Sequence, residues 1–96
     1  MSDRISRMRA ALESALAPQV CQIEDESHLH VGHAGAASGG GHYRLTIVAD
    51  AFDGKNRVAR HRLVYDSLRD LMQADIHALA INALTPAEAA ASSQAR

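Results

Sequence analysis

The sequence predicts an α+β fold, a two-layer sandwich with helices on one face of a small mixed sheet. Three observations lead there. Ile5, Met8, Leu12 and Leu16 recur every three or four residues near the start, as on one face of a helix. In "HYRLTIVAD", Tyr43, Leu45, Ile47 and Ala49 alternate with His42, Arg44 and Thr46, which is the period of a half-buried strand. A helical region then separates this strand from a later apolar run, "IHALAINAL". That spacing makes a crossover between parallel strands, expected to be right-handed.

The elements follow in order. Ser2 or Asp3 caps the first helix and Pro18 stops it. "VCQIEDE" is a short strand with Cys21 and Ile23 on one face. A glycine-rich connection containing Gly32, Gly35 and Gly39 to Gly41 joins it to the second strand. It is too long for a tight hairpin, and loops of this length are commonly functional. Asp53-Gly54 signals a turn. The helical region then runs from about Asn56 to Met72. Its apolar face is read as Val58, His61, Val64, Tyr65, Leu68 and Met72, and its polar face as Arg60, Arg62, Asp66, Arg69 and Asp70. In the third strand, His77, Leu79 and Ile81 are expected to share a face. Thr85-Pro86 with Glu88 opens a last helix, since proline suits the first helical position. The tail "AAASSQAR" has no burial pattern and is expected to fray, leaving one domain over 1–90 and a tail over 91–96.

Composition narrows the function. The 96 residues supply one core, and 47% hydrophobic content is that of a folded chain. A net charge of −1 requires any nucleic-acid contact to come from a local patch, and 3% aromatics disfavour a base-stacking platform. Cys21 is the single cysteine, so no intrachain disulfide forms and a reducing compartment fits. No apolar run is long enough to span a membrane, and the N-terminus has no signal-peptide core, so a cytoplasmic location is expected.

Three groups of side chains carry chemistry. His28, His30 and His33 lie in the glycine-rich connection, and imidazoles at such spacing suit a transition metal or a plain solvated loop. His42 and His77 stand at the starts of strands, and His61 on the apolar helix face reads as a core histidine with one hydrogen bond. Lys55, Arg57, Arg60 and Arg62 gather four positive charges without a negative one, as a solvated face or a phosphate contact. Cys21 reads as a small buried hydrophobe. No Ser-His-Asp or Cys-His pair is legible, and no enzyme is expected.

Taken together, "EDESHLHVGHAG", "HYRLTIVADAFDGKNRVARHRLVY" and "IHALAINALTPAE" closely resemble the BolA family, over about residues 5 to 88. The resemblance implies a class II KH-like fold in α-β-β-α-α-β-α order. It also implies a partner, a monothiol glutaredoxin, with which such proteins share a bridged 2Fe–2S cluster. The glutaredoxin would supply its cysteine and a bound glutathione thiolate. This chain would supply His77 and a loop histidine, best matched by His30, with His33 as the alternative. Imidazole ligands on one iron raise the potential and make ligation sensitive to protonation. The isolated protein is then expected to be a monomer or weak dimer holding no cluster tightly. The family's other reputation, in transcriptional control of stress, morphology and biofilm responses, implies duplex DNA contacts through Lys55, Arg57, Arg60 and Arg62. Two departures bear on partners. "DGKN" stands where nucleic-acid-binding KH domains carry GXXG, and the tail lacks the tryptophan common in the family.

Overall fold

A computed structural model describes residues 4–26, 41–74 and 76–94, with backbone alone at 74, 77 and 92–94. The elements are α1 (Arg4–Leu16), β1 (Val20–Asp25), β2 (Gly41–Val48), α2 (Arg57–Ser67), α3 (Arg69–Ala74), β3 (Ile76–Leu84) and α4 (Pro86–Gln94), with a 3₁₀ turn at Asp50–Phe52. This is the expected α-β-β-α-α-β-α order. The sheet runs β1-β2-β3, antiparallel in the first pair and parallel in the second.

The core follows the two periodicities. Met8 and Leu12 of α1 are buried, with Ile5 and Leu16 packed beside them. Tyr43, Leu45 and Ile47 of β2 are buried, whereas Arg44 on the opposite face is exposed. Phe52, Val64 and Leu68 close the layer from the crossover side. Each such large side chain withdrawn from water contributes roughly 1.5–3 kcal/mol before entropy is counted. Cys21 and Ile23 are half-buried on one face of β1, as alternation requires. Ala17 ends α1 in the left-handed region, φ 47°, and its N–H still reaches Glu13 O at 3.1 Å.

Three features depart from the one-dimensional pattern. The helical region is two helices. Ser67 Oγ donates to Leu63 O at 2.7 Å, a back-bond that bends helices, and Leu68 leaves helical geometry at φ −105°, ψ 14°. The apolar face of α2 is narrower than its spacing suggests. Val58 and Tyr65 are exposed, whereas Val64 and Leu68 are buried in the core and Leu63 packs beside them. Finally, α4 continues to Gln94, into the stretch expected to fray. Its start is fixed by a capping box: Thr85 N donates to Glu88 Oε1 at 2.9 Å, and Glu88 N donates to Thr85 Oγ1 at 3.1 Å.

Candidate functional site

Two places in the fold gather the residues singled out above. The first is the end of the sheet where β1 leaves, β2 enters and β3 begins. Glu26 N donates to His42 O at 2.8 Å, and His42 pairs across the sheet with Ala78. Gly41 pairs with Ile76, so between these two pairings the register slips by one residue, at His77. A bulge of this kind interrupts alternation and re-aims the chain. It also revises the expected face: Ile76, 4% exposed, takes an inward place that strict alternation with Leu79 and Ile81 would deny it.

Gly41 has a second role there. The buried ring of Tyr43 lies over it, and a Cβ at position 41 would stand 2.6 Å from Tyr43 Cζ. Alternation marks Tyr43 as inward, but nothing in the spacing of the glycines distinguishes Gly41 from Gly39 or Gly40. Beside the bulge, Glu26, His42, Ala78 and Ala80 line a shallow groove of ≈ 340 Å³, which the small side chains of β3 leave open. His42 is half-buried, with its Nε2 inside the protein surface.

His28, His30 and His33 lie outside the described residues, as does the side chain of His77. Among the described residues no three His, Cys, Asp or Glu side chains cluster as a metal site. What the fold does fix is the pair of anchors for the connection. Glu26 and Gly41, its neighbours at either end, are both tied into the strand row that contains Ala78 and Ile76. Two strand spacings are about 10 Å. Four residues of extended chain span up to about 14 Å, so His30, four residues beyond Glu26, is within covalent reach of His77, and His33 more easily so. Imidazole nitrogen is a suitable donor for iron, so the residue types suit a metal.

The second place is a cleft of ≈ 470 Å³ between the start of α2, the edge of β3 and the start of α4. Lys55, Arg57, Arg60, His61, Asn82 and Glu88 line it. Gly54 turns the chain into it at φ 76°, and Asn56 caps α2 by accepting from Ala59 N at 2.9 Å. Here the four basic residues separate. Lys55 and Arg57 are exposed and form no ion pair among the described residues. Arg62 lines the neighbouring groove with Val58 and Leu63. Arg60 is engaged inside the protein. Its Nε donates to Lys55 O at 2.8 Å, its Nη1 to Ala83 O at 3.0 Å, and its two Nη atoms grip Glu88 at 2.6 and 3.1 Å. This fork, with the Thr85 backbone bond, holds the Glu88 carboxyl down at about 2. His61 is half-buried at the cleft wall, where the sequence suggested a core position.

Cys21 stands apart from both places. Burial raises its thiol pKa, partly offset by Arg9, which donates to the Cys21 carbonyl.

Comparison with known proteins decides the family. The family model "BolA-like protein" matches residues 12–88. This chain belongs to the BolA family. Over 93 residues it is 45% identical to the SufE-like protein 1 of Arabidopsis thaliana, covering 92% of this chain and 25% of that protein. It is 43% identical over 91 residues to Protein BOLA1 of the same plant, covering 92% and 57%. It is 33% identical over 79 residues to the DNA-binding transcriptional regulator BolA of Escherichia coli, covering 82% and 72%. The chain thus spans a quarter to somewhat over half of the first two curated relatives. The solved structure of Arabidopsis BolA1 superposes with a TM-score of 0.78 at 40% identity, over 92% of this chain and 98% of that one. The BolA fold is therefore shared nearly end to end. No helix among the described residues is long and apolar enough to cross a membrane.

Proposed function

We propose that this BolA-family chain is a non-enzymatic adaptor in iron–sulfur cluster handling and iron sensing. It binds a monothiol glutaredoxin in a reducing compartment such as the cytoplasm and contributes His77 and His30, with His33 as the alternative, to a shared 2Fe–2S cluster. The cluster supplies redox-active iron. This protein supplies neutral nitrogen donors and the scaffold that holds them at one end of a sheet.

One observation carries the reading. The bulge at His77 sits in the row where both ends of the histidine-bearing connection are anchored, through Glu26 and Gly41. Tether length then permits two imidazoles, 47 residues apart in the chain, to meet at one edge of the molecule. The partner's thiolates complete the set, so each protein holds half of the site.

The test is reconstitution with a monothiol glutaredoxin, iron, sulfide and glutathione. A heterodimer is expected whose visible absorption differs from that of the glutaredoxin homodimer. His77→Ala is expected to abolish the difference; an unaltered spectrum overturns the ligand assignment.

The basic cleft supports a second reading, a DNA-binding regulator like the Escherichia coli relative named for that activity. Lys55 and Arg57 on the cleft rim, with Arg62 on the next groove, are placed for phosphate contacts. Removing Arg57 or Arg62 is expected to weaken duplex binding and to lower the salt slope by about one each. Binding that ignores both substitutions discards this reading.

A further inference from the structure

We propose that the α2–β3–α4 cleft is an oxyanion site for a phosphoryl or phosphodiester group, and that Glu88 is its built-in competitor. The proposal rests on the basic cleft described above and assigns what occupies it.

Arg60 presents a planar fork with both Nη atoms to one side, and that fork already holds two oxygens of one carboxylate. A bidentate guanidinium binds phosphate oxygens in the same way. Arg60 is pre-organised for this, because Lys55 O and Ala83 O fix its other donors and its side chain is only 15% exposed. Lys55 and Arg57 border the same cleft, so three basic side chains meet the Glu88 carboxylate and that of Asp53, whose charge also acts on Arg60. The two carboxylates leave one net positive charge for an incoming oxyanion. Glu88 stays ionised throughout the physiological range, so competition does not lapse at neutral pH.

Glu88 also belongs to the Thr85 capping box, and its Oε1 accepts from both Thr85 N and Arg60 Nη1. The other capping bond, from Glu88 N to Thr85 Oγ1, does not use the carboxylate and still marks the start of α4 when the fork is taken. An oxyanion entering the cleft exchanges with Glu88 at the fork. Occupancy would then loosen the tie between α2 and α4.

Two variants test this in the full chain. Glu88→Gln removes the competing charge. Glu88→Asp keeps the charge but shortens the reach by one methylene, so it withdraws from Arg60 without altering net charge. Binding of inorganic pyrophosphate by calorimetry and of a labelled single-stranded oligonucleotide by anisotropy would be measured at low salt. Glu88→Gln is expected to bind about fivefold tighter than the unaltered chain, as release of one exposed ion pair allows. Glu88→Asp is expected to tighten binding in the same direction, and Arg60→Lys in the Glu88→Gln background to remove the gain. Tightening for pyrophosphate alone assigns a small phosphoryl ligand, and tightening for both assigns a phosphodiester. If Glu88→Asp binds as the unaltered chain does while Glu88→Gln tightens, the gain is net charge only and the competitor is refuted with the basic cleft intact. If no form binds either probe, the cleft reading itself falls.

Discussion

The ring of Tyr43 occupies the space that a Cβ on Gly41 would need: such an atom would lie 2.5 Å from the Tyr43 hydroxyl oxygen and 2.6 Å from Cζ. Two residues apart on the same face of β2, they form a single packed unit. That unit stands opposite Ile76, at the edge of the bulge that contains His77. The clearance of one glycine thus bears on the strand register at the proposed ligand.

Gly41→Ala is expected to destabilise the fold by about 1–3 kcal/mol, the usual cost of forcing an atom into a packed core. Urea unfolding measures it. Tyr43→Leu removes the obstructing ring, so the double variant should be less unstable than the sum of the singles. Additive costs would show that the ring and the glycine are not coupled.

Glu88 predicts a pH signature. Its folded-state pKa is depressed to about 2 by Arg60 and by the Thr85 backbone. A depressed carboxyl stabilises the fold above its unfolded value and loses that contribution as pH falls through the folded value. Glu88→Gln should therefore lower the Tm at neutral pH. The difference from the unaltered chain should shrink between about pH 4.5 and 2. A difference that is constant across this window would mean that neither the Arg60 fork nor the Thr85 backbone bond favours the ionised carboxyl in the folded state.

Cys21 should be a slow nucleophile. Burial raises its thiol pKa, so little thiolate exists near neutrality. Labelling by iodoacetamide at pH 7.5 should run well below the rate of the urea-unfolded chain. Equal rates would show that the half-buried position of β1 does not protect the thiol.

Much of the fold was legible from local pattern. The stripe Ile5, Met8, Leu12 and Leu16 did become a core helix face, and Tyr43, Leu45 and Ile47 did become the buried face of β2. The T-x-x-E signal of Thr85 and Glu88 became a capping box. Where the pattern misled, a distant contact decided. Val58 and Tyr65 fit a helical stripe but stay outside the core, and the Ser67 back-bond stands where a helix ends although its apolar spacing runs on unbroken. The histidine spacing raised the question of a metal, and the motifs of a family narrowed it to His77 with His30 or His33. The loop histidines lie outside the described residues, so the structure bears on them only through their anchors.

Local pattern was enough for the strands, the first and last helices and their order, and the motifs were enough for the family and the residue types at the proposed sites. Periodicity and capping act over three or four residues, so they are written in adjacent letters. Long-range packing brings Arg60 to Glu88 across 28 residues, slips the register at His77 and gives the space above Gly41 to Tyr43. Those outcomes depend on which surfaces coincide once the chain is compact. Shape and hydrogen-bond satisfaction then choose among placements that hydrophobic spacing leaves equivalent.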